Sequence, residues 1–432
     1  MNTGDTIVAI SSAVGEAARM IVRLSGPGAP EIANYLILRP GRLSDQASVE
    51  RVSLRVSDLV FPAWVYTFIA PKSYTGEDLI ELHLPGNPLL ARMTLDACQQ
   101  YGARLAEPGE FTARAYFNGR LDLAEAEGVA ATIAAHGEAE LAAARQLMAG
   151  ELSKRLHPVM DLLADTLALV EVGIDFVDED VTFLSDAQIA DRLQKCDGAL
   201  AEIQSSSGRF EKLAHEPRVV LVGAPNAGKS TLLNALAKQD RAVVSPIAGT
   251  TRDVLAATVY LRRGAIQLID VAGLEHSPTG EIDRQMQAQA QNAIETADVL
   301  VHVRDASSSE SSVTLPRDSD LTVYTKIDLR PAKAQATAVS ALTGEGLDQL
   351  CDELDRLAFG SQTVCASLAL TSRHLLAIDA ARSAIARATQ RTELEVLALE
   401  LREALDHLGQ ILGVIAPDDL LGRIFSAFCI GK

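Results

Sequence analysis

The chain is short of aromatic residues and short of positive charge. One Trp, seven Tyr and ten Phe make up 4% of 432 residues, too few for a long platform on which nucleobases stack. Lys and Arg number 39 against 57 Asp and Glu, a formal net charge of −18, which argues against broad non-specific attraction to nucleic acid. An RNA partner would need a local basic patch or a second protein to share the contact. Cysteine is sparse too. Cys98, Cys196, Cys351, Cys365 and Cys429 are scattered, with no C-x-x-C pair and no metal spacing, a pattern that suits a reducing compartment. No charge-free stretch reaches membrane-spanning length. The opening MNTGDTIVAI has neither the basic nor the apolar region of a leader. The expectation is a cytoplasmic protein with no membrane partner.

What the chain does have is a phosphate-cradling loop. Residues 218–231 read RVVLVGAPNAGKST: a β-branched strand, then Gly223-x-x-x-x-Gly228-Lys229-Ser230, then the helix-forming TLLNALAK. The glycines let the backbone fold round a polyphosphate with N–H groups of Asn226, Ala227, Gly228 and Thr231 turned inward. Lys229 reaches the β- and γ-phosphates, and the Ser230 hydroxyl is placed for Mg²⁺.

Four further pieces follow in the order a guanine-nucleotide switch requires. Ser245 to Asp253 (SPIAGTTRD) is a first switch in which a hydroxyl, Thr250 or Thr251, completes the Mg²⁺ shell while γ-phosphate is present. Asp270-Val271-Ala272-Gly273 ends a strand, with Asp270 facing the Mg²⁺ shell and Gly273 allowing its N–H to approach the γ-phosphate. Thr325-Lys326-Ile327-Asp328 follows the strand LTVYT, and the Asp328 carboxylate accepts from guanine N1–H and the 2-amino group, a donor pair adenine lacks. Ser340-Ala341 backs the base through main-chain N–H groups. Each later piece alone is more often a turn; together and in order they read as a GTPase domain.

Around this unit the composition changes. The first ~115 residues alternate strand-like and helix-like segments, with strands predicted at 6–10, 18–24, 52–60, 63–69 and 79–84 and a helix over 88–101. From Asp122 the sequence turns Ala-, Leu- and Glu-rich with helical periodicity, stops at Glu216-Pro217, and resumes at Ser372. Helical sequence on both sides of one α/β unit predicts a nucleotide domain inserted into a discontinuous helical domain, since two lone short bundles make marginal cores. The expected division is 1–118 (α/β), 119–215 (helical), 216–362 (P-loop, Ras-like) and 363–432 (helical).

The strings Gly223–Thr231 and Ile247–Asp253 resemble the Era-like branch of translation-associated GTPases. Three more narrow the resemblance to the MnmE (TrmE) family of tRNA-modification GTPases: SYTGED at 73–78, EPGEFT at 107–112 and NGRLDLAEAE at 118–127, with the terminal Cys429-Ile-Gly-Lys432. The resemblance implies an N-terminal domain like tetrahydrofolate-binding modules, a homodimer formed through it, and an FAD-dependent partner, MnmG (GidA), in a heterotetramer. Together they add an aminomethyl or carboxymethylaminomethyl group to C5 of the wobble uridine (position 34) of certain tRNAs. The one-carbon unit comes from 5,10-methylene- or 5-formyl-tetrahydrofolate. By motif position it implies folate contacts at Arg23, Glu81, Arg120 and Lys432, with Cys429 a candidate for chemistry there. It also implies a K⁺ ion held by Asn226, Ser245, Ile247 and Thr250, with Arg252 the alternative source of positive charge.

The chain departs from the family in places. Val271 stands where Thr is usual, Ser245 where Thr is usual, and Arg120 where Lys is usual. Thr325 replaces Asn, implying a weaker tie to the base and P-loop. The family's catalytic Glu falls in Glu281-Ile282-Asp283-Arg284, where Asp283 is one methylene shorter and Glu281 is the fallback. The competing function is an Era- or EngA-like GTPase timing RNA or ribosome assembly. Such proteins carry a basic RNA-binding domain after the G domain, whereas residues 372–432 here are helical and have no basic excess, with eight Asp and Glu against seven Lys and Arg.

Overall fold

The computed structural model describes residues 4–38, 43–175, 184–210, 216–238, 254–271, 290–308, 317–330, 337–359, 368–391, 393–414, 418–426, 428 and 430–431. The chain divides into two compact units. One comprises Met1–Ile133, Arg145–Ser207 and Ser372–Lys432; the other comprises Ala134–Ala144 and Gly208–Thr371.

The first unit opens with a six-stranded sheet in the order β3-β4-β5-β2-β1-β6. Its strands are β1 (Ile7–Ile10), β2 (Ala17–Ser25), β3 (Ser48–Val56), β4 (Leu59–Phe68), β5 (Leu79–Gly86) and β6 (Arg104–Leu105). All neighbours are antiparallel except β1 with β6. Alternation in β3, with Val52, Leu54 and Val56 buried and Arg51, Ser53 and Arg55 exposed, gives the sheet one wet face. The other face packs on α1 (Ala29–Leu36) and α2 (Pro88–Gln100), around Val22, Leu24, Ile32, Leu82 and Cys98. Burial pushes the Cys98 thiol up to about 12, so it is an inert core residue. Asn87 caps α2 by accepting from the N–H groups of Leu89 and Leu90, with Pro88 in the first turn.

One sequence expectation shifts here. The β3–β4 turn lies at Ser57-Asp58, not at Phe61-Pro62, and Pro62 sits within β4 opposite Ser53. Proline is tolerated because β5 pairs with β4 only from Trp64 onward, so no ladder bond is asked of the missing N–H.

The helices of this unit are α3 (Glu110–Phe117), α4 (Leu123–Ala134), α6 (Glu151–Asp175), α7 (Asp186–Ser206), α10 (Ser372–Ala388), α11 (Leu394–Leu412) and α12 (Asp418–Ser426). Buried Leu152, Leu156, Val159, Leu163, Thr166 and Val170 on α6 and Ile189, Leu193, Cys196, Leu200 and Ile203 on α7 recur at three- and four-residue steps. That spacing gives each helix one apolar stripe. The facing α10 is lined by Ala377, Ala381, Ala384 and Ala388, whose small side chains admit close packing. The stretches 145–207 and 372–432 thus belong to one unit, although 208–371 separates them in sequence.

In the second unit the sheet order is β13-β12-β11-β8-β10-β9. The strands are β8 (Arg218–Val222), β9 (Val254–Tyr260), β10 (Ala265–Val271), β11 (Val299–Asp305), β12 (Leu321–Thr325) and β13 (Thr337–Ala338). They run parallel except for β9. Helix α8 (Lys229–Lys238) and α9 (Leu347–Phe359) pack on one face, and α5 (Glu138–Met148) begins in this unit. A short parallel ladder joins β7 (Gly208–Arg209) to β14 (Ala369–Leu370), so the chain enters and leaves the unit side by side. Among the described residues no helix is long and apolar enough to cross a membrane.

Candidate functional site

Strand β8 is buried between β10 and β11 and delivers the chain into the P-loop at its carboxyl end. The loop demands its glycines. Gly223 has φ +157°, and a Cβ there would stand 2.2 Å from the Val303 carbonyl oxygen; Gly228 has φ +92°. Asn226 is left-handed as well, at φ +62°. Ala227 is buried, whereas Ser230 and Thr231 are exposed at the start of α8.

Lys229 is nearly buried and curls over the loop, its Nζ donating to the carbonyls of Gly223 at 3.0 Å and Ala224 at 3.1 Å. Burial pulls its ammonium pKa below the usual range, with Asp270 acting in the other direction. The Ser230 hydroxyl donates to Asp270 Oδ2. Asp270 Oδ1 is buried with no hydrogen-bond partner among the described residues. A buried carboxylate oxygen left without a partner is unfavourable, and beside a serine hydroxyl at a P-loop it is a hard-oxygen donor set of the kind Mg²⁺ takes. Val271 turns its side chain into the core with Val220, Val222 and Ile269, which leaves only its backbone for the loop.

The strip expected to read the base forms from β12 and the segment after β13. Ser340 is fully buried, and its hydroxyl donates to Asp328 Oδ1 at 2.6 Å. The Ser340 N–H is taken by the Glu345 carbonyl, so the hydroxyl, not the amide, is what Ser340 offers this strip. Ala341 follows it, half-buried. Thr325, expected to loosen the P-loop, keeps a tie to it: its Oγ1 donates to the Ala227 carbonyl at 2.5 Å. Lys326 Nζ donates to the Asn226 carbonyl at 2.8 Å and to Asp305 at 2.6 Å. Asp305 was not expected from sequence, although it ends β11 as Asp270 nearly ends β10.

In the first unit, Arg23 on β2 stands opposite Glu81 on β5. The guanidinium donates to Glu81 Oε1 at 2.9 Å and 2.8 Å, and to the Gly431 carbonyl at 3.3 Å. His83 faces Glu81 Oε2 at 3.0 Å. Burial would push Glu81 up, but His83 and Arg23 outweigh it and hold the carboxyl below its usual range. Arg120 is exposed and lines an open hollow of about 490 Å³ with Tyr116, Asp122, Glu125 and Leu412; its side chain also lies against Gly76, where an added Cβ would stand 3.2 Å from Arg120 Cγ. Ser245, Ile247, Thr250, Thr251, Ala272, Gly273, Asp283 with its fallback Glu281, Cys429 and Lys432 lie outside the described residues.

The motif strings that carry the family resemblance meet in one joint, with Thr75, Thr112 and Arg114 buried within it and Tyr74 and Asn118 at its exposed edge. Tyr74 bonds Thr112 through their hydroxyls at 2.8 Å, and Asn118 donates to the Thr75 carbonyl at 2.7 Å. Arg114, fully buried, reaches Asp5 at 2.6 Å, Glu110 at 3.1 Å and Glu77 at 3.2 Å.

The comparisons agree with one another. A family model described as GTP-binding protein TrmE N-terminus matches residues 6–120, and the MnmE helical domain matches residues 123–429. The chain belongs to the MnmE family. Relatives named tRNA modification GTPase MnmE include one from Xanthomonas campestris pv. campestris (strain B100), 39% identical over 99% of both chains. Another, from Aquifex aeolicus (strain VF5), is 35% identical over 99% of this chain and all of that one. Among solved structures, the Aquifex aeolicus Era protein bound to GDP·AlF4⁻ aligns over 41% of this chain and 68% of its own, at 25% identity with a TM-score of 0.26.

Proposed function

We propose that this protein hydrolyses GTP to drive modification of the wobble uridine of certain tRNAs at C5. It acts as a homodimer with an FAD-dependent MnmG partner and a folate one-carbon unit. The observation that supports the nucleotide half best is the pairing of Ser230 with Asp270 beneath a loop in which Gly223, Asn226 and Gly228 all have positive φ. In this reading Lys229 leaves the Gly223 and Ala224 carbonyls for the β- and γ-phosphates. Ser230 and Thr251 hold Mg²⁺, with Asp270 on its water shell; the ion, when bound, neutralises charge on the phosphates. Val271, Ala272 and Gly273 offer backbone to the γ-phosphate, Asp328 reads guanine, and Asp283 or Glu281 orients the attacking water. Asn226, Ser245, Ile247 and Thr250 are the oxygen donors for K⁺.

The tetrahydrofolate-like reading of the N-terminal domain rests on the family and on the Arg23–Glu81–His83 cluster. Its chemistry suits the ligand: Glu81 Oε2, opposite His83, keeps a lone pair for a pterin N–H group, and Arg23 supplies fixed positive charge. The one-carbon chemistry belongs to the folate when bound; Cys429 and Lys432 are its neighbours in this proposal. Arg23→Ala and Glu81→Ala should abolish reduced-folate binding by calorimetry while basal GTP hydrolysis stays near wild type, because the two sites lie in separate units. Arg120→Ala should do the same; unchanged folate affinity in that variant alone would remove Arg120 from the site. Unaltered binding in all three variants would discard the folate assignment.

Mass spectrometry of position 34 in a deletion strain tests the function as a whole. The C5-modified nucleoside should vanish, return with the wild-type gene, and stay absent with Lys229→Ala. Unchanged modification in the deletion strain would favour the assembly-checkpoint role instead.

A further inference from the structure

The segment carrying Asp328 is fastened to the phosphate loop by side chains other than Asp328. One fastening is Thr325 on Ala227; the other is Lys326, whose ammonium bridges the Asn226 carbonyl and the Asp305 carboxylate. Asp305 is set before Lys326 arrives. It pairs in register with Thr325 across parallel strands, and its Oδ1 accepts from the Ser307 N–H at 2.8 Å and hydroxyl at 2.6 Å, which aims Oδ2 at Lys326. Burial would push Asp305 up, but the bonds from Lys326 and Ser307 hold it below its usual range, so it carries charge at neutral pH. Lys326 and Asn226, at φ +60° and +62°, are two of the three non-glycine residues with positive φ among the described residues. Such a conformation disfavours any residue with a side chain and persists only where contacts over-determine it. Here one contact joins the two.

We infer that Asp305 is a positioning residue for guanine-nucleotide binding: by holding Lys326 on the Asn226 carbonyl, it makes the base-reading loop and the phosphate loop one preformed unit. The inference rests on the GTP reading above. Without the carboxylate the Lys326 ammonium turns to water, Asn226 loses its donor, and both left-handed residues relax. A bound nucleotide is then held by two loops that separate more easily, so it leaves faster and affinity falls through the dissociation rate.

The test uses the full chain and a fluorescent GDP analogue. Asp305→Asn keeps the shape and removes the charge, so GDP should dissociate about tenfold faster, the scale of one charge-assisted hydrogen bond, with guanine still preferred over adenine. Asp305→Glu should recover most of the affinity. Lys326→Met should reproduce the Asn effect, and the double variant Asp305→Asn/Lys326→Met should be no worse than Lys326→Met alone. A merely structural Asp305 would lower thermal stability without this epistasis. Full additivity of the two changes, or wild-type dissociation from folded Asp305→Asn, would overturn the inference. If Asp305→Asn does not fold, Asp305→Glu and Lys326→Met decide it: slow dissociation from Lys326→Met overturns the positioning role. Failure of the wild-type protein to bind GDP would bring down the GTP reading as well, and is seen before any variant is made.

Discussion

Asp328→Asn should turn a guanine-binding site into a xanthine-binding one, with GTP affinity falling at least about a hundredfold and XTP gaining. An ionised carboxylate only accepts, which matches the adjacent N1–H and 2-amino donors of guanine. The structure adds why the substitution should present the right atom. The buried Ser340 hydroxyl donates to Asp328 Oδ1 at 2.6 Å and accepts from the Thr343 N–H at 3.2 Å. Its proton therefore points at residue 328 and needs an acceptor there. In the variant the amide oxygen keeps that bond, and the amide nitrogen is left as a donor towards the base. Xanthine carries a carbonyl where guanine carries the 2-amino group, so the new donor finds an acceptor in XTP and a clash of donors in GTP. Competition of GTP and XTP against a fluorescent nucleotide measures the change. Equal GTP affinity in wild type and variant would remove Asp328 as the base reader.

What was legible in the sequence was legible because backbone geometry restricts residue type. Gly223 and Gly228 can be little else at their φ angles, and strand–loop–helix patterning placed Lys229, Ser230 and Asp270 before any coordinates. The helical stripes on α6 and α7 were equally plain, since the period of burial is the period of the helix. Side chains that meet across long separations were not. Arg114 finds Asp5 109 residues away and Glu77 37 away, pairings no local pattern encodes. Thr325 looked like a loss because Asn has two polar groups and Thr one. The hydroxyl nevertheless reaches Ala227, and Asp305 with Lys326 supplies a second tie. The β3–β4 turn was placed at a proline because proline usually breaks strands; the unpaired side of β4 there removes the objection.

The joint around Arg114 is where removing one side chain should cost the most stability. Arg114→Ala strips the cation from three carboxylates, and breaking a buried ion pair from one side costs about 3–5 kcal/mol. Arg114 is fully buried and Glu110 is 1% exposed, so water cannot replace the lost partner. Arg104 also holds Glu110, at 2.7 Å, but is 41% exposed; Arg104→Ala should cost only about 1 kcal/mol or less, as surface pairs do. Replacing both members of the inner pair, Arg114→Met with Glu110→Met, should recover part of the loss, because the most deeply buried of the three carboxylates is then gone and only the more exposed Asp5 and Glu77 lack the cation. Acid should act in the same direction as Arg114→Ala. Hydrogen bonds from Arg104 and Arg114 hold Asp5 below its usual range against burial. For Glu110, burial pushes up, and Arg104, the Glu107 N–H and Arg114 outweigh it. A carboxylate with a depressed folded pKa contributes stability that is fully present above its unfolded value, about 4, and is lost as pH falls through the folded one. Wild-type stability should therefore decline below about pH 4, and Arg114→Ala should show a shallower decline because Asp5 and Glu110 then keep only Arg104 of the two guanidinium groups that hold them down. Urea unfolding of the full chain across pH 3 to 7, followed by the fluorescence of Trp64 in this same sheet, checks both. An Arg114→Ala variant with wild-type midpoint and wild-type acid slope would show that the network is not what holds the family's motif strings together.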